Sequence, residues 1–116
     1  MSDARVGLAY EEITTGDGDI ATRGARVTVR YDLALHRGEV VQREQAVSFV
    51  VGARDVFAGL EYGVDGMRVG GTRRLRVPPH LGYRDDGVAG VIPPNALLIV
   101  DVTLLAVEPR GTTRAP

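Results

Sequence analysis

Cysteine, tryptophan and lysine are all missing from this chain of 116 residues; its fourteen basic residues are all arginine, and it has only two His and two Ser. Without cysteine there is no disulfide, no thiolate nucleophile and no CxxC redox or zinc site. Without lysine there is no Schiff base and no P-loop lysine, so covalent catalysis has few candidate groups. Aromatic residues make up 5%, two Phe and four Tyr, which is too little for a platform that stacks single-stranded bases. A net charge of −1 and a pI near 6.1 supply no field to hold polyphosphate, so no nucleic-acid partner is expected. No apolar run approaches the ~18 residues of a membrane span, and no basic, apolar and small-residue succession opens the chain. The expectation is a cytoplasmic protein with no membrane partner.

What is present, 44% hydrophobic and 25% charged residues, suits one globular domain with a real core. Residues 8–14 read as a short strand, followed by the turn cluster Gly16-Asp17-Gly18-Asp19. From Ala25 to Leu35, Val27, Val29, Tyr31, Leu33 and Leu35 alternate with polar residues, the period-two signature of a half-buried strand. His36-Arg37-Gly38 forms a hairpin tip. A return strand starts at Val40 and resumes over Val47 to Val51, with Gln42-Arg43-Glu44-Gln45 as a bulge or crossover loop. Asp55 is placed to cap a short helix over Val56 to Val64, which Gly59, Gly63 and Gly66 keep short. Thr72 to Val77 is another half-buried strand, stopped by Pro78-Pro79, and Ala96 to Val107 suits a central strand.

The architecture is therefore α+β, about five antiparallel strands and one helix, with a domain over residues 1–108 and a frayed tail at 109–116. Long loops in compact domains are usually functional or disordered, and the one from Pro79 to Pro93 carries three glycines and Tyr83. His36, His80, Asp85 and Asp86 have no metal-ligand spacing and read as surface turn residues, so no metal and no cofactor are expected. Arg73, Arg74 and Arg76 read as an exposed ladder.

Several motifs in order then carry a family pattern. Gly16-Asp17-Gly18, Arg23-Gly24 and Val27-Thr28-Val29-Arg30-Tyr31 open it. Gly52, Val56-Phe57, Gly59-Leu60-Glu61, Gly63, Gly66-Met67 and Gly70 form its centre. Tyr83, Gly90, Val91-Ile92-Pro93-Pro94-Asn95-Ala96-Leu97 and Val100-Asp101-Val102-Thr103-Leu104-Leu105 close it. From about Glu11 to Glu108 the chain resembles the FK506-binding-protein (FKBP) class of peptidyl-prolyl cis-trans isomerases. The resemblance implies a five-stranded antiparallel sheet wrapped around one short helix, with an apolar cleft between helix, sheet and long loop.

Rotation about an X-Pro amide faces a barrier of about 18 to 20 kcal/mol, set by lost amide resonance. A dry cleft that binds the twisted amide better than either planar isomer can lower it without a nucleophile. By the resemblance, the Phe57 amide donates to the ligand carbonyl, Tyr83 supplies a phenolic donor, and Tyr31 and Gln42 complete the catalytic set. Val41, Phe49, Val56, Leu60, Val91, Ile92 and Val100 wall the proline pocket. Plain core packing is the competing reading of Tyr31, Phe49, Leu60 and Val100.

Departures from the pattern fall in the same cleft. Val41-Gln42 stand where the family usually has Phe-Asp, and the segment from there to Phe49 is shorter than usual. Leu60 stands at a frequent Trp, Val100 at a Phe, and Arg84 follows Tyr83 where a glycine is usual. Arg84 with Asp85 and Asp86 reads as a solvated turn, or alternatively as an altered specificity rim. Aromatic side chains bury about 150 to 250 Å² each, so the thinned pocket implies weak isomerase activity and reduced affinity for FK506- or rapamycin-like macrolides. The expected partners are X-Pro peptides or unfolded chains, met by a monomer. The alternative is a catalytically poor binding module for a proline-containing or apolar ligand or a partner protein.

Overall fold

The computed structural model describes residues 7–108; the tail expected at 109–116 lies outside the described residues. The strands are β1 (Ala9–Thr14), β2 (Arg26–Leu35), β3 (Val40–Val50), β4 (Thr72–Val77) and β5 (Leu98–Glu108), of which β2 and β4 alternate buried apolar with outward polar residues. All pairings are antiparallel, and the sheet order is β1-β4-β5-β2-β3. The apolar run of β5 takes the middle place, where Leu98, Val100, Val102 and Leu104 are all fully buried.

The helix α1 (Ala58–Val64) is shorter than the expected span and lies against the sheet at β4. Its close seating comes from two glycines: a Cβ on Gly59 would collide with Val77, and one on Gly63 with Leu75. Phe57 occupies the N-cap position in an extended conformation without a side-chain cap. Asp55, expected to cap, instead accepts a hydrogen bond from the Val50 amide at 3.2 Å. A carboxylate two residues ahead of the cap is outside the first turn, which explains the misreading.

Arg73 corrects the exposed-ladder reading. Its neighbours Arg74 and Arg76 are exposed, but Arg73 is buried on the helix side of β4. It donates to the carbonyls of Gly63 (3.0 Å) and Asp65 (3.1 Å), filling acceptors left open at the helix C-terminus, and makes two bonds of 3.1 Å to the Glu12 carboxylate.

The Gln42 to Gln45 stretch stays within β3 as bulged strand rather than a crossover. Tyr31 pairs with Gln45 and Leu33 with Gln42, so Asp32 stands opposite both Arg43 and Glu44. Glu44 takes φ 50°, and its amide donates to the Asp32 carboxylate at 2.6 Å. A second irregularity leaves Val41 as the extra residue between Val40 and Gln42.

Candidate active site

Three aromatic rings from three separate elements meet beside the helix start. Tyr31 comes from β2, Phe57 from the N-cap of α1, and Tyr83 from the loop after β4. The Tyr31 and Phe57 centroids are 6.4 Å apart with planes at 76°, an edge-to-face contact; Phe57 and Tyr83 are 5.6 Å apart and tilted by 40°. Edge-to-face geometry sets the positive ring edge against the neighbouring face. All three rings are half-buried and pack on the main core, so each keeps a solvent-reachable surface above an apolar floor. Burial pushes both phenols above the usual tyrosine range, and Tyr83 adds to the shift at Tyr31. Both side chains are therefore neutral O–H donors at physiological pH.

The loop that carries Tyr83 is held by backbone hydrogen bonds. The Arg84 amide donates to the Pro79 carbonyl at 2.9 Å, and the Arg84 carbonyl accepts from Asn95 at 2.8 Å. Val88 and Ile92 exchange two bonds of 2.8 Å, which folds the loop tip back on itself. The Phe57 carbonyl accepts from Leu60 and Glu61, and its amide has no acceptor among the described residues. That leaves a free backbone donor next to three rings, the pairing that a carbonyl followed by an apolar ring would use.

The remaining sequence-predicted pocket residues divide by burial. Val41 and Val56 are half-buried and rest on the core, Val91 is 50% exposed, and Ile92 is buried beneath the loop. Phe49, Leu60 and Val100 have no exposed surface. All three belong to the main core, whereas Tyr31 packs against that core and keeps exposed surface. Gln42 is exposed on the bulged part of β3, and no hydrogen bond among the described residues ties it to the rings.

A groove of about 510 Å³ is lined by the chain neighbours of two of these rings, Val56 and Ala58 around Phe57 and Arg84 after Tyr83, together with Arg23, Arg54, Leu81 and the buried Glu61. Sequence reasoning assigned no role to Arg23, named only within the opening motif, or to Arg54, because only the fold brings them to Arg84.

Comparison with known proteins agrees with this geometry. Residues 18–105 match the model of the FKBP-type peptidyl-prolyl cis-trans isomerases. An FK506-binding protein of Neisseria meningitidis serogroup B is 38% identical over 105 residues, covering 87% of this chain and 96% of that protein. A chloroplastic peptidyl-prolyl cis-trans isomerase of Arabidopsis thaliana, FKBP16-4, is 40% identical over 91% of this chain and 51% of its own. Some relatives are much longer: the chain spans 28% of FK506-binding protein 4 of Dictyostelium discoideum. Among solved structures, a peptidyl-prolyl cis-trans isomerase of Pseudomonas syringae superposes with a TM-score of 0.78 at 28% identity, covering 90% of this chain and 77% of its own. FkpA of Escherichia coli gives 0.78 at 33% identity, over 89% of this chain and 49% of its own. The aromatic triad, the free amide at the helix start and these matches lead to one assignment: the chain belongs to the FKBP-type peptidyl-prolyl cis-trans isomerase family.

Proposed function

We propose that this member accelerates rotation about X-Pro bonds at the Tyr31–Phe57–Tyr83 cleft, with weak activity. The observation that carries the reading is the cluster of three half-buried rings beside the unpaired Phe57 amide. A proline ring seats among the aromatic edges, the Phe57 N–H holds a substrate carbonyl, and the neutral Tyr83 hydroxyl donates to a second oxygen or to the twisting amide nitrogen. The planar amide is the more polar form and is favoured by water, so a cleft that excludes water raises the planar state towards the twisted one. No proton changes hands.

Activity is weak on this reading because the floor is aliphatic. Leu60 and Val100 are wholly enclosed, Val41 offers a small surface, and Gln42 brings no negative charge. Proline-containing peptides and unfolded chains are the proposed substrates, and macrolides that present a pipecolyl ring would bind with reduced affinity. The exposed Gln42 favours a second reading, a binding module that holds a proline segment without useful turnover.

A protease-free isomerisation assay decides between them. Turnover above the uncatalysed rate is expected. Tyr83→Phe, which keeps the ring and removes the donor, should lower kcat/KM by about 2- to 10-fold, the worth of one hydrogen bond, with little change in stability. Wild type at the uncatalysed rate on every peptide would leave the binding module standing. An unchanged Tyr83→Phe would remove the phenol from the mechanism.

A further inference from the structure

The groove beside the rings is basic, and nothing in the proposed mechanism uses it. Arg23 precedes β2, Arg54 precedes α1 and Arg84 lies in the long loop, yet all three line one depression of about 510 Å³. None of the three side chains forms an ion pair or hydrogen bond among the described residues, whereas Arg37, Arg73 and Arg74 are each paired with a carboxylate. Among the described residues the one carboxylate lining the groove, Glu61, is buried and accepts a hydrogen bond from the Arg54 backbone amide at 3.0 Å. Three guanidinium groups against one carboxylate give the described lining of the groove an excess of two positive charges.

The arrangement is also partly pre-ordered. A Cβ on Gly52 would lie 3.1 Å from Arg23 Cγ and 3.4 Å from its Nε, so the Arg23 side chain lies flat across the Gly52 backbone. Arg54 (φ 63°) and Arg84 (φ 54°) both adopt the left-handed conformation that glycine takes at no cost. Arg84 is also one of the positions that depart from the family pattern. Two arginines held in a conformation that disfavours side chains, and aimed into the same groove, are a local expense that calls for a return elsewhere.

We propose that this groove binds an anionic side chain flanking the proline of the substrate, and so makes the enzyme selective for acidic segments. The proposal rests on the isomerase reading of the adjoining cleft. Val56 and Ala58 line the groove and bracket Phe57, and Arg84 directly follows Tyr83, so the same two backbone segments carry the rings and the groove lining. A chain seated on the rings carries its next residues across it. Guanidinium forks suit carboxylate or phosphate oxygens, and Val56 and Leu81 receive the aliphatic stem of a glutamate.

The test uses proline peptides with Ala, Glu, Lys or phosphoserine placed in turn at two positions before and two after proline. At one position Glu should exceed Lys about tenfold in kcat/KM, as two or three exposed ion pairs would give, and the ratio should shrink with added salt. The double variant Arg54→Gln/Arg84→Gln should bring that ratio to about one while turnover of the Ala peptide stays within about twofold. Phosphoserine above Glu identifies phosphate as the favoured anion, and the reverse order identifies carboxylate. Equal turnover of Glu and Lys peptides at all four positions, or a preference that survives the double variant, overturns the proposal and leaves the isomerase intact. No turnover of the Ala peptide overturns the isomerase reading instead. The groove is then judged by titrating acetylated tetraglutamate against the amide resonances of Gly52, Arg54 and Arg84: saturable shifts uphold it, and their absence overturns it.

Discussion

Replacing Gly63 with alanine will destabilise this protein, although the same change in an unpacked helix gains about 1 kcal/mol. The added Cβ would overlap Leu75 Cδ1 and lie 2.7 Å from Cδ2 and 3.0 Å from Cγ, inside the ~3.5 to 4.0 Å optimum for carbon pairs. Leu75 has no exposed surface, and its strand is hydrogen-bonded to β1 on one side and β5 on the other, so it has nowhere to move. Overpacking a closed core costs about 1 to 3 kcal/mol, and the helix gain offsets part of it, leaving a loss of about 1 to 2 kcal/mol. Because there is no tryptophan, urea unfolding followed by far-ultraviolet circular dichroism is the natural assay, and the loss should lower the midpoint without changing m. The sharper measurement repeats Gly63→Ala in a Leu75→Ala background. There the new methyl meets a cavity, and its effect should change sign to a gain of about 1 kcal/mol. Stabilisation by Gly63→Ala with Leu75 present would refute the argument, since it would mean that α1 is not seated on β4 through its glycines.

Further outcomes follow from the same packing. The raised folded-state values of Tyr31 and Tyr83 mean that their contribution to stability is whole below about pH 10, the unfolded tyrosine value, and is lost as pH climbs through the folded values. Isomerisation should accordingly be flat from about pH 6 to pH 9 as far as the phenols are concerned; a drop in that range abolished by Tyr31→Phe would contradict the burial of that side chain. Arg73→Met should cost about 2 to 3 kcal/mol, as two helix-end carbonyls and the Glu12 carboxylate lose a charged donor. Arg74→Met, which removes an exposed pair with Asp101, should cost no more than about 1 kcal/mol. Equal losses in thermal or urea unfolding would show that the helix end does not depend on Arg73.

Strands β2 and β4 were legible in the sequence because their apolar and polar residues alternate: the reading of Thr72 to Val77 coincides with β4, and that of Ala25 to Leu35 differs from β2 by one residue. The family motif likewise located the rings, since Tyr31, Phe57 and Tyr83 do converge. What escaped depends on geometry that a one-dimensional pattern does not carry. Arg73 sits at an inward position of an alternating strand, where an arginine is admissible only because Glu12 and the end of a helix ten residues earlier supply acceptors. Whether Phe49, Leu60 and Val100 wall the cleft or lie beneath it turns on side-chain depth, which residue type does not reveal. The arginines of the basic groove lie in three segments with nothing in common locally, and their union is a property of the fold alone.

The bulged strand β3 has a consequence for how a ligand can arrive. It is an outer strand of the sheet, and an outer strand ordinarily offers a row of open amides and carbonyls to any extended peptide. Here two register breaks, the left-handed turn at Glu44 and the exposed charges of Arg43 and Glu44 interrupt that row midway along its length. Over residues 40–45 this side offers no continuous ladder to an extended chain, whereas the pairing from Gln45 to Val50 stays regular. A fold that is mostly sheet thus carries one outer strand whose first half is a poor template for an added strand.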